Sequence, residues 1–420
     1  MMAIMMAFMM TGTVSRAGAS TDININTFTL APDPYGNFKF NDGYAFTGNI
    51  TNNGYVAMSW VDGVVHVGYW NTIKGTIINH YFFNFAEFSN NIDILVNSNG
   101  IVTASLASLS NSTIVVRADG SVFSPEDGRK VRAVNDSGIA VGSRYYSNHF
   151  AVIWEENGAA TDLPHPDGYS VINSYAVRIN NNGLIAGTLW QSESASRAVM
   201  WDADADRTPV LLPPLLLEGT TESTSHNVTA INDAGLIAGT ASNHAVVWDT
   251  SRESITVTDL HTVAAGCLSE GETLTSSNTY GINEAGIIAG SIYINGVGDQ
   301  GVLWIPGEEG YEMININKLA AKAALLVDGM QDEGLGSITH ITGINDLNQI
   351  VGVGKYHYLI FEWGGDDDEI INTYHEYREQ GFLMSLGGLS AAVPEPGACA
   401  WVAGLAAMLA WAARRQRWSR

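Results

Sequence analysis

Cysteine is almost missing from this chain: two residues in 420, Cys267 and Cys399. Cys399 lies in an apolar run near the C-terminus, so the body carries one thiol and no internal disulfide. A large hydrophobic core must stabilise it instead. Basic residues are also scarce, 20 against 43 acidic, for a formal net charge of −23. Such a surface repels nucleic acid and anionic lipid, which argues against either as a partner. The body has few long apolar helical patterns, and its 44 glycines point to β-structure with many turns. Sequence signatures of catalysis are missing too. There is no Gly-x-Ser-x-Gly elbow, Walker loop or Cys-x-x-Cys pair. His375-Glu376 opens like a zinc-protease helix, but Glu379 occupies the place of the second histidine, so that site cannot assemble.

What the chain does have is a repeat. Five segments align without gaps: Ala133–Gly142, Arg178–Gly187, Ala230–Gly239, Gly281–Gly290 and Gly343–Gly352. Ile50–Ala57 and Leu95–Ala104 are weaker copies, which makes seven units. Self-similarity on the order of 40–60 residues marks a repeat architecture. Within each unit two short aliphatic runs flank a turn. Its first position is Asn (Asn135, Asn180, Asn232, Asn283, Asn345) and its fourth is Gly (Gly138, Gly183, Gly235, Gly286). Asn caps the local backbone, and Gly accepts the left-handed conformation of a type I turn with a bulge. Asn348 replaces that glycine in the last unit, as the next most tolerant residue. A second glycine, such as Gly239 or Gly290, suits a bulge or a close strand approach.

A third strand follows and ends on or near Trp: Ala151–Trp154, Ala198–Trp201, Ala245–Trp248, Val302–Trp304 and Leu359–Trp363, with Trp70 closing the first unit. Ala160–Pro164 and Ile255–Leu260 read as fourth strands, and Lys318–Val327 as a short inserted helix. Four antiparallel strands repeated seven times predict an all-β propeller-like array. Each blade has apolar faces that only its neighbours can cover, and Trp is a wedge between them. Ile23–Leu30 alternates polar and apolar residues and is expected to pair with the last blade and close the ring.

The turn segments, together with His244-Ala245-Val246-Val247-Trp248, resemble the HAF repeat of exported bacterial proteins. Ser147–Trp154 matches with one extra residue, and His357–Phe361 matches loosely, with Phe361 where Trp is expected. The resemblance covers roughly residues 130–363 and, more loosely, 48–117. It implies architecture and supplies no catalytic residues. Arg197 and Gln300 stand where histidine is expected, so His149, His244 and His357 read as packing or hydrogen-bonding residues, not repeated ligands.

Both ends suggest export. Residues 1–10 are apolar and Ala17-Gly18-Ala19 has signal-peptidase spacing, although no Lys or Arg precedes the apolar stretch. At the other end, Val393-Pro394-Glu395-Pro396 precedes an apolar run from Ala398 to Ala413 and the basic residues Arg414, Arg415, Arg417 and Arg420. The run is just short of the roughly 17–25 residues that span a bilayer, and the arginines place the body outside. In residues and order this resembles the PEP-CTERM sorting signal. That likeness implies a C-terminal hydrophobic transmembrane helix, transient anchoring, and cleavage near Pro-Glu-Pro by an exosortase-type enzyme as partner.

The expected organisation is a signal peptide at 1–19, a propeller at 20–366, a linker at 367–392 opened by Asp366–Glu369, and the sorting segment at 393–420. The favoured function is a non-enzymatic protein of the cell surface or biofilm matrix that contacts exopolysaccharide or other proteins. One alternative is a carbohydrate-active enzyme using acidic residues at the central mouth, where glycoside hydrolysis needs two carboxyl groups roughly 5–10 Å apart. Another is a calcium-dependent adhesin. Asp202, Asp204 and Asp206 alternate as in calcium loops but lack the glycine and later Glu of an EF-hand. No other cofactor is implied.

Overall fold

The computed structural model describes residues 13–14 and, apart from 31–44 and several short loops, residues 23–389. Its organising element is the Asn-initiated turn. In Asn135–Ile139 the Gly138 N–H donates to the Asn135 carbonyl at 3.0 Å, and the Asn135 side-chain oxygen accepts from the N–H groups of Ser137 and Ile139. The fourth position is left-handed in every unit, at φ 72° for Gly54, 80° for Gly138, 84° for Gly235 and 57° for Asn348. This turn joins the first two strands of each blade. The second strand then pairs with the third, and the third with the fourth, all antiparallel.

Seven four-stranded blades result. In chain order they cover 45–83, 92–123, 129–162, 173–211, 226–259, 274–315 and, for the seventh, 334–387 completed by Ile23–Leu30. That last strand pairs antiparallel with Glu369–Gly387, from Asn24 opposite Gly387 to Leu30 opposite Phe382. The two ends of the repeat array thus share one blade, which closes the ring as expected. A short helix, Leu260–Ala265, capped by Asp259, follows the fifth blade. A second helix follows the sixth; it runs Ile316–Lys322 under the cap of Asn315, beginning and ending earlier than Lys318–Val327.

The second glycine of the repeat explains how the blades stack. Gly239 faces a bulge in the first strand, between Val228 and Ala230. A methyl group there would lie 2.7 Å from the Trp248 ring. Gly187 and Gly290 meet Trp201 and Trp304 in the same way. The glycine opens the slot and the indole fills it. Trp201, Trp248 and Trp304 are fully buried and pack against the preceding blade. Their N–H groups donate to carbonyls just past the preceding blade's fourth strand: Pro164 at 2.7 Å, Pro213 at 2.9 Å and Leu260 at 3.0 Å.

The seventh blade departs from expectation. Leu359–Trp363 is not a third strand; it belongs to the long second strand Gln349–Gly364. The third strand is Glu369–Gly387, so this stretch, expected as linker, is blade. Phe382, fully buried, lies against Gly352 where the other blades place Trp against glycine. Phe361 belongs instead to the 16-residue second strand, where it pairs with Thr373 of the 19-residue third strand.

Candidate functional site

The first strands of all seven blades surround an axial cavity of about 250 Å³. Strand order puts the Asn turns around its lower mouth and the connections between second and third strands on the upper face. At the lower mouth each turn Asn reaches the next blade. Nδ2 of Asn97 donates to the carbonyl of Asn135, Asn135 to Asn180, Asn180 to Asn232, Asn232 to Asn283, Asn283 to Asn345 and Asn345 to Thr51, at 3.0–3.2 Å. Thr51 holds the Asn position in the first blade, and Asn49 replaces its outward bond through a two-way pair with the Val96 backbone, at 2.8 Å each way.

A second ring lies outside the first. The N–H at the second turn position donates to the side chain of the same position one blade on. Ser98 donates to Asp136, Asp136 to Asn181, Asn181 to Asp233, Asp233 to Glu284, Glu284 to Asp346, and Asp346 to Asn52. Four carboxylates therefore circle the mouth as acceptors of backbone N–H groups. Burial raises the Glu284 carboxyl, its bond from Asp233 N–H opposes this, and the neighbouring charges of Asp233 and Asp346 add to the rise. Sequence reading gave roles to the first and fourth turn positions and none to the second. The signal was present, since that position is Asp, Asn or Glu in six of the seven units.

The upper face holds most of the histidines. His244 Nδ1 lies 3.1 Å from Asp259 Oδ2, and its ring stacks on His261 at 4.0 Å. His357 packs edge-on to Tyr377, and His149 lies between Tyr145 and Tyr175. All three repeat histidines are packed against rings, and His244 is also hydrogen-bonded, whereas Nδ1 of His149 and of His357 is buried without a partner. At the equivalent positions, Arg197 donates to the Leu212 carbonyl and Gln300 accepts from Asn317.

Five histidines, His149, His165, His226, His261 and His340, are held below the ordinary imidazole value, in each case chiefly by burial. His261, also facing His244, is lowered to about 4. A lowered folded pKa means the unfolded chain takes up protons first as pH falls. Stability is therefore full above about pH 6.5 and declines toward pH 4. The unfolding midpoint is expected to drop across that window and His261→Gln to flatten part of the drop; a midpoint constant from pH 7 to 4.5 would contradict this.

Of the other expected positions, Asp204 lies outside the described residues, which leaves the candidate calcium loop Asp202–Asp206 undescribed at its centre. Among the described residues no three His, Cys, Asp or Glu side chains cluster as metal ligands. The sorting residues Val393, Pro394, Glu395, Pro396, Arg414, Arg415 and Arg417 also lie outside, as does nearly all of 1–19. No described helix is long and apolar enough to cross a membrane.

The fold and its turn rings define a seven-bladed β-propeller. No protein-family model matches the chain, and no curated protein matches it. Solved structures that resemble it include the extracellular domain of a putative one-component system from B. thetaiotaomicron, with 11% identity, a TM-score of 0.44, and coverage of 76% of this chain and 39% of that one. A puromycin-hydrolysing peptidase of Mycobacterium tuberculosis shares 9% identity at a TM-score of 0.45, covering 79% of this chain and 53% of that one. The WD40 domain of SCAP from fission yeast shares 9% identity at 0.36, covering 87% and 99%. This chain thus spans well under two thirds of the first two, and likenesses this distant carry no functional argument.

Proposed function

We propose that the chain is an exported, non-enzymatic propeller of the cell surface or extracellular matrix, anchored and then processed through its PEP-CTERM-like tail, that contacts exopolysaccharide or other surface proteins. The observation that carries this reading is the use of the lower mouth. Its carboxylates accept backbone N–H groups from the neighbouring blade, which stiffens the ring as a display scaffold. The position of the described C-terminal end supports it further. The Leu389 carbonyl accepts from Asn348 Nδ2 at 3.0 Å, so the chain leaves at the lower face, and a membrane tether there turns the upper loops outward. Deleting Val393–Arg420 is expected to move a folded body from the envelope fraction into the soluble medium. A body that aggregates, or full-length chain recovered in the cytosol, would count against the reading.

A second reading, a carbohydrate-active enzyme, rests on Glu284, whose raised carboxyl lies between Asp233 and Asp346 on the axial cavity. New reducing ends from a polysaccharide substrate, lost in Glu284→Gln, would establish it over the first.

A further inference from the structure

The interface between the third and fourth blades gathers positive charge on an otherwise acidic protein. Tyr145, at the end of the second strand, is 46% exposed. Its ring lies 4.9 Å from that of His149, which in turn lies 5.0 Å from that of Tyr175 in the next blade. The Arg132 guanidinium carbon sits 5.3 Å from the centre of the Tyr175 ring. Three rings and a guanidinium thus form one strip, running from exposed Tyr145 to the blade interface. Its geometry is held by the His149 N–H, which donates to the Asn173 side chain at 2.8 Å.

Two nitrogens on this strip are buried without a hydrogen-bond partner, Arg132 Nε and His149 Nδ1. Among the described residues no carboxylate lies within ion-pairing distance of Arg132. The positive charges of both Arg132 and Lys130 reach His149, whose imidazole is lowered chiefly by burial and then by these two groups. Arg144 pairs with Asp162 on the outer part of the same blade, so the inner cation remains for a partner from outside. An unpaired buried donor is costly, and a guanidinium stacked on a tyrosine ring is a preorganised fork for a carboxylate. Exposed tyrosine at the rim offers a flat face for a sugar ring.

We propose that this strip is a binding site for a carboxylate-bearing sugar, the repeating acidic unit of an anionic polysaccharide. The carboxylate meets the Arg132 guanidinium and the sugar face lies on Tyr145. The site rests on the surface-display reading and gives it a ligand class. Because the whole protein is strongly acidic, long-range forces oppose a polyanion. Recognition must be local, and at 0.15 M salt the screening length of about 8 Å confines electrostatics to the strip.

The test is calorimetric titration of the full chain, at 0.15 M salt, with a polygalacturonate hexamer and with a neutral glucose hexamer. The acidic hexamer is expected to bind at least tenfold tighter than the neutral one. Arg132→Gln is expected to remove that preference and Arg132→Lys to restore part of it. Tyr145→Ala, at an exposed position that folding does not need, is expected to weaken both hexamers severalfold. Arg252→Gln, remote and paired with Asp249, should change nothing. Binding of both hexamers with no preference, or a preference that survives Arg132→Gln, overturns the site and leaves the surface-display reading standing. No binding by either hexamer also overturns it, while cell fractionation judges the display reading separately.

Discussion

Trp304→Ala is expected to lower the unfolding free energy by about 3–5 kcal/mol, the range for deleting a buried large aromatic. Trp304 is fully buried and packs on the fifth blade with Leu260, Ala264 and Ala245. The substitution leaves a void that cannot collapse readily, because strand pairing fixes both walls. It also removes the indole N–H bond to the Leu260 carbonyl, made at 3.0 Å. Trp304→Phe keeps most of the packing and loses the bond, so it should cost clearly less. Guanidinium unfolding reads both, as a lower midpoint at unchanged slope. Equal midpoints for Trp304→Ala and the parent would mean that the wedge does not hold the blades together.

Asn180→Ala comes next, at about 1–3 kcal/mol, because the Leu184 N–H loses its acceptor and the bond to the Asn232 carbonyl is lost. Asn180 is 5% exposed. Its Nδ2 donates to the Asn232 carbonyl at 3.0 Å and its Oδ1 accepts from the Leu184 N–H at 2.8 Å. One side chain thus closes its own turn and ties it to the next blade. Asn180→Asp keeps the acceptor but turns an oxygen toward the Asn232 carbonyl, and is expected to be no milder. Asn182→Ala, two residues on, removes an exposed bond to the Asp233 carbonyl and should cost well under 1 kcal/mol. If Asn182→Ala proved as damaging as Asn180→Ala, the inner ring would have no special role.

The turns were legible because their chemistry is local. Left-handed backbone at Gly138 or Asn348 follows from what those residues tolerate, whatever lies beyond the turn. Trp201, Trp248 and Trp304 were legible as wedges because they recur at one place in the unit. The last blade was misread for the opposite reason. Leu359–Trp363 carries the apolar and aromatic pattern of a third strand at the usual distance from its turn, yet Phe382 fills the slot. The two long strands leave the blade as a ribbon and return, so sequence distance ceases to measure position.

By itself the sequence determined the all-β class, seven turns, and the pairing of Ile23–Leu30 with the final blade, because backbone preference and strand alternation act over a few residues. Tertiary structure alone decided that the Asp136, Asp233, Glu284 and Asp346 carboxylates accept N–H groups from the preceding blade. It alone set Arg132 on Tyr175. Those partners are about 40–60 residues apart in the chain, and which residues meet across a blade interface depends on the rotation between neighbours, a quantity that no short stretch of residues encodes.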